Sequence, residues 1–106
     1  MKYIKTFENT IMDFPKYGDY IKIVDDSKSA DLSIYLEIHM GKVLDYGNDI
    51  VLVAYKEKPE ESILRYFDYN KERNDYSKVF SGQKILGFAK TIKELELKIM
   101  ITKYNL

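Results

Sequence analysis

The chain of 106 residues contains no cysteine and no tryptophan, and it has one histidine and two prolines. Without cysteine there is no disulfide, no thiolate nucleophile and no thiolate metal ligand. A disulfide-stapled secreted scaffold is therefore excluded, and a reducing cytoplasm is the expected setting. The single histidine, His39, cannot build a multi-histidine metal site. It could serve as a base, but nothing in the linear order pairs it with a nucleophile. A histidine at a helix end or on the surface is the plainer reading. An excess of either charge is also missing, since 17 basic residues balance 17 acidic ones. A nucleic-acid binder carries a basic excess, so that function ranks low. Only Arg65 and Arg73 are arginines, which limits bidentate recognition of phosphate or carboxylate. No run approaches the ~18 apolar residues of a membrane helix. Met1 to Glu8 has no apolar signal core, so no membrane association is expected.

What is present is a globular composition, 45% apolar, with no low-complexity tract and no linker rich in Pro, Gly or Ser. Residues 1–106 read as one domain. Lys, Tyr, Ile, Asn and Asp are abundant, a set that AT-rich codons favour, and a bacterial or bacteriophage origin fits it. The strongest local signal is a hairpin. Gly41-Lys42-Val43-Leu44-Asp45-Tyr46 and Ile50-Val51-Leu52-Val53-Ala54-Tyr55 flank Gly47-Asn48-Asp49, two apolar, β-branched runs around a turn. Upstream, Pro15-Lys16-Tyr17-Gly18-Asp19 forms a turn into a strand over about Asp19 to Val24. Ile4, Phe7, Ile11 and Phe14 recur at helical spacing before Pro15.

Ala30 to Met40 fits two patterns. Leu32, Ile34, Leu36 and Ile38 alternate as in a half-buried strand, while Leu32, Tyr35, Leu36 and His39 share a helix face. A short helix capped by Ser29 or Asp31 is preferred. Pro59-Glu60-Glu61-Ser62 opens another helix, with Ile63, Leu64 and Phe67 on its apolar side. Asp68 to Lys78 reads as polar and turn-rich, Val79-Phe80 as a short strand, and Lys84 to Ala89 as a strand. Thr91-Ile92-Lys93-Glu94 is a capping box. A C-terminal helix follows, with Leu95, Ile99 and Met100 toward the core; alternation of Leu95, Leu97, Ile99 and Ile101 leaves a terminal strand as the competitor. The expected fold is mainly β with peripheral helices (α+β): a small SH3-like β-barrel, with a short helix after the hairpin and a helix at the C-terminus.

Several short segments carry a family resemblance. They are the opening Met1-Lys2-Tyr3-Ile4-Lys5-Thr6-Phe7-Glu8, then Gly18-Asp19-Tyr20, then Gly41-Lys42-Val43. The Pro-led helix ending in Tyr66-Phe67 and the tail Lys103-Tyr104-Asn105-Leu106 complete the set. In these the chain resembles small uncharacterised phage and metagenomic proteins that are themselves similar to SH3-like barrels. The resemblance implies the barrel fold and a phage origin, hence the cytoplasm of a bacterial host. It transfers no activity and no functional residue.

The residues offer little catalytic chemistry. Asp25-Asp26 and Glu60-Glu61 are adjacent carboxylates on a loop and a helix start, where they suit solvent and the helix dipole better than acid–base work. Asp68, Asn70, Glu72 and Asp75 lack the central Gly and the final Glu of a calcium loop. No P-loop and no Gly-x-Gly-x-x-Gly occurs. The surplus is ten tyrosines. Tyr66, Tyr69 and Tyr76 lie near Arg65 and Arg73, and Tyr17 and Tyr20 flank the first strand start. Tyrosine can stack a base or anchor a protein interface, and a neighbouring Arg can hold a phosphate. Rings that simply cap a small core are the competing reading. The expected function is a non-enzymatic binding or adaptor protein without a cofactor or metal, a phage accessory protein acting through this Tyr-rich face on a protein partner. One alternative is a counter-defence protein that sequesters a nucleotide signal, at a homo-oligomer interface. A second is a nucleic-acid-binding barrel.

Overall fold

A computed structural model describes residues 14–103. The helix expected over Ile4 to Phe14, and the Lys103 to Leu106 tail, fall mainly outside the described residues. In chain order the elements are β1 (Tyr20–Ile23), α1 (Ala30–Ile38), β2 (Gly41–Gly47), β3 (Ile50–Tyr55), α2 (Glu61–Leu64), β4 (Asp68–Asn70), β5 (Asp75–Ser81), a 3-10 turn (Gly82–Lys84), β6 (Ile85–Ala89) and α3 (Ile92–Lys103). The six strands form one antiparallel sheet in the order β4-β5-β3-β2-β1-β6.

The described residues thus form a mixed α+β domain with a six-stranded sheet and three helices. The expected SH3-like barrel is not confirmed. Closure would require β4 to pair with β6, and these two strands are the open ends of the sheet. Both ends are blunted against further pairing. β4 is three residues long, and Lys98 of α3 reaches round the β6 edge to donate to the Phe88 carbonyl at 2.9 Å. Short edges and edge lysines are the usual protection of an open sheet.

Local chemistry sets each element. The β2–β3 turn narrows to Asn48-Asp49, with φ of 53° and 62°. Two positive φ values make the mirror-image turn that matches strand twist. Ser29 caps α1, its Oγ accepting from the Leu32 N–H at 3.1 Å. Thr91 Oγ1 accepts from the Glu94 N–H at 3.1 Å, forming half of the expected capping box, while the Glu94 carboxylate faces the Thr91 hydroxyl. The C-terminal segment is a helix, not a strand, with Leu95 buried; Met100, expected inside, is exposed. The largest departure is the Asp68 to Lys78 segment, which forms a hairpin of β4 and β5. Its turn is tied by Asn70, whose carbonyl accepts from the Asn74 N–H and whose Oδ1 accepts from the Arg73 N–H.

Strand register divides the sheet into two faces, because residues directly opposite across a ladder share a side. Ile21, Val43, Val51, Val53, Tyr55 and Phe80 point to the front. There they join Leu32, Tyr35 and Leu36 of α1, Ile63 of α2 and Phe67 in the main core. Tyr35, Tyr55 and Phe67 meet edge-to-face, with centroids 5.4–6.0 Å apart, the arrangement that ring quadrupoles favour. On the back face α3 packs over β6 and β1, setting Leu95 above Gly87; among the described residues no helix packs on the β2–β3–β5 part of that face.

Candidate functional site

The back face beyond α3 carries a groove among the described residues. One cross-strand row, Ala89, Tyr20, Lys42, Ala54 and Ser77, runs from β6 to β5. The groove follows this row for part of its length and has a volume of about 580 Å³. Ala54 is small and nearly buried, so the sheet sinks there. Tyr17 and Tyr20 form one wall, Arg73 and Asp75 the other, with Lys42 and Lys56 between and Ile92 at the α3 end.

Tyr17 is placed by a tight turn. The Asp19 N–H donates to the Lys16 carbonyl at 2.9 Å, and Gly18 has φ of +89°. That is the turn type in which the third residue needs positive φ, and glycine supplies it without a Cβ clash. The Asp19 carboxylate accepts from the Lys16 N–H, and the Gly18 N–H bonds the Val43 carbonyl, fixing the turn to β2. Tyr17 at its tip is 78% exposed. Tyr20 lies beneath the Lys42 ammonium, 5.0 Å from the ring centroid, a cation–π contact.

The opposite wall is a charged pair. Arg73 Nε donates to Asp75 Oδ2 at 2.9 Å. Asp75 is only 4% exposed, and its second oxygen, Oδ1, is buried with no donor among the described residues. Lys56 lies one step beyond the Tyr55–Tyr76 pair, hence across from Asp75, yet its Nζ donates to the Arg73 carbonyl at 2.9 Å. Among the described residues neither Lys42 nor Lys56 is in an ion pair. The groove therefore holds two ammonium groups outside ion pairs, with Glu57 also on its lining, beside the exposed Tyr17 ring.

Of the residues singled out in the sequence, Tyr17, Tyr20 and Arg73 come together here. Tyr66, Tyr69, Tyr76 and Arg65 do not. Tyr69 and Tyr76 face each other on the front side at 5.0 Å, and Tyr66 and Tyr76 pack against the core. Arg65 lies over the Tyr66 ring and donates to its hydroxyl, and the Tyr69 hydroxyl donates to Asn74 Oδ1. Lys42 and Lys56 were missed, and Asp75 was weighed only as a calcium-loop residue. The signal for Lys42 was available, because the hairpin register sets it opposite Ala54 on the face away from Val43 and Val53.

The other chemical candidates have structural roles. His39 ends α1, its ring 4.5 Å from that of Tyr35 and its Nδ1 3.6 Å from Glu57 Oε1. Asp25 accepts from the Ser27 N–H and hydroxyl and lies 3.5 Å from the Lys84 ammonium. Burial pushes its carboxyl up, but the Ser27 bonds and the Lys84 charge outweigh that and hold it below the usual carboxylate value. Among the described residues no cluster of three His, Cys, Asp or Glu could hold a metal ion. No described helix is long and apolar enough to cross a membrane. Comparison with known proteins adds no relative, as no family model, curated protein or solved structure matches the chain.

Proposed function

We propose that this chain is a non-enzymatic binding protein whose working surface is the back-face groove, and that its ligand is a small phosphate-bearing molecule of the nucleotide class. The observation that carries this reading is the pairing of Lys42 and Lys56, both outside ion pairs among the described residues, with the exposed Tyr17 and the half-buried Tyr20 around a cavity of about 580 Å³. Small-ligand sites fall in this size range. The ammonium groups suit phosphate oxygens, and the exposed Tyr17 ring adds an aromatic face to the groove. Among the described residues no histidine and no nucleophile–base pair lines the groove, in keeping with a binding role. With the phage resemblance, the biological reading is a counter-defence protein that sequesters a nucleotide signal in the host cytoplasm.

A thermal-shift panel of linear and cyclic nucleotides tests this directly. A ligand at a hundred times its dissociation constant stabilises the fold by ~2.7 kcal/mol, which moves the midpoint of a domain this size by roughly 10 °C or more. The shift should collapse when Lys42 and Lys56 are both replaced by Ala. A flat panel sinks the proposal.

A second reading retains the protein partner. α1 and α3 flank an apolar groove of about 680 Å³ lined by Val24, Met40, Leu86, Ile99 and Met100, and Ile34, Ile38, Leu97 and Ile101 are exposed on the same two helices. Exposed apolar surface of this kind marks interfaces. This reading takes the lead if the nucleotide panel is flat. The SH3-like relationship and a nucleic-acid role rest on the sequence resemblance and on the local lysines alone.

A further inference from the structure

We infer that Asp75 selects the ligand's base: the groove takes a nucleoside phosphate whose base carries an exocyclic amino group, and Asp75 Oδ1 receives that N–H. The inference rests on the nucleotide reading above and goes on to the chemistry of its base.

The argument starts from an unmet acceptor. An ionised carboxylate offers lone pairs on both oxygens and seeks donors for both when buried. Asp75 is as buried as a core residue, yet only Oδ2 is used, by Arg73 Nε. Oδ1 is enclosed without a donor. The nearest cation by register, Lys56, is turned away to the Arg73 carbonyl. The sheet thus holds a carboxylate oxygen in the groove wall and spends no side chain of its own on it.

Asp75 lines the groove beside Arg73, whose backbone is fixed and whose side chain is half-exposed. The Arg73 backbone is held by its N–H bond to Asn70 Oδ1 and by the Lys56 bond to its carbonyl. Its side chain is 40% exposed and held to Asp75 through Nε. A ligand amino group that reaches Oδ1 finds Arg73 already on Oδ2, so both carboxylate oxygens are then paired. A phosphate-bearing molecule with no N–H donor leaves Oδ1 unpaired, so it binds more weakly. A site that hydrogen-bonds a ligand group discriminates strongly against the analogue lacking it, because its own buried polar atom stays unpaired.

Calorimetric titration of the full chain with three probes tests this. The probes are adenosine diphosphate, the purine riboside diphosphate that lacks only the 6-amino group, and inorganic pyrophosphate. The expected result is at least tenfold tighter binding of the amino-bearing nucleotide than of its amino-less analogue, with the difference lost in Asp75→Ala, which has no side-chain acceptor. The comparison of the two nucleotides needs no variant, so it stands even if Asp75→Ala fails to fold. Equal affinity for both nucleotides in the native chain overturns the role of Asp75 and leaves the groove reading intact. Pyrophosphate binding as tightly as either nucleotide also overturns it. Absence of binding by all three overturns the inference and the nucleotide reading together.

Discussion

Two buried tyrosines that touch each other should respond in opposite directions to loss of the same atom. Tyr35 and Tyr55 pack 5.5 Å apart in the core. The Tyr35 hydroxyl donates to the Glu57 carbonyl at 2.5 Å. The Tyr55 hydroxyl is fully buried and has no partner among the described residues. Burying a hydroxyl unpaired costs ~1–3 kcal/mol. Removing the oxygen leaves a void of roughly 10 Å³, which costs about 0.2–0.3 kcal/mol at ~24 cal/mol per Å³. Tyr55→Phe should therefore stabilise the domain by about 1 kcal/mol or more. Tyr35→Phe loses a made hydrogen bond and should destabilise it by ~1 kcal/mol. Urea unfolding of the three proteins reads both effects, and in a melt each should move the midpoint by roughly 4 °C, upward for Tyr55→Phe. The reasoning is refuted if Tyr55→Phe loses 1 kcal/mol, since that would mean the hydroxyl is satisfied, by a buried water for example.

Two further predictions concern the stability of the fold. The Asp25 carboxyl is held below its ordinary value in the fold, so between that value and the unfolded one the unfolded chain binds more protons and stability falls as the pH drops. The native protein should thus lose more stability than Asp25→Asn on acidification from pH 5 to 3, read from urea midpoints; equal losses would sink the assignment. Gly41 marks a close approach of β2 to β3, where a Cβ would run into Val53 Cγ1 and meet the Tyr55 ring at about 3.0 Å. Gly41→Ala should cost ~1–3 kcal/mol by overpacking, while Gly47→Ala, which meets open space, should stay within ~0.5 kcal/mol; similar melts for the two would contradict the packing.

The features legible in the sequence are those made by neighbours along the chain. Asn48-Asp49 in the hairpin, Ser29 and Thr91 as caps, and Gly18 in its turn all act within four residues, so their chemistry can be read in order. β4 and β5 escaped because their back-face residues are polar. Asp75 and Ser77 are buried, and a buried Asp next to Asn70, Lys71 and Glu72 looks like a loop until its strand partner is known. Barrel closure escaped for a related reason: whether β4 meets β6 depends on the path of the whole sheet, which no local pattern encodes. The tyrosines were grouped by proximity in the chain, whereas alternation along β4 and β5 sends Tyr69 and Tyr76 to the face opposite Asp75. Arg73 joined Tyr17 and Tyr20 only through three intervening ladders.

Those ladders make the sheet a ruler. Tyr20 stands on β1 and Asp75 on β5, with β2 and β3 between them. Strands sit ~4.8 Å apart, so the two walls are held about 14 Å from each other by backbone hydrogen bonds. Side-chain replacements along the groove can change which groups a ligand must present. They cannot change how far apart it must present them, because that length belongs to the main chain.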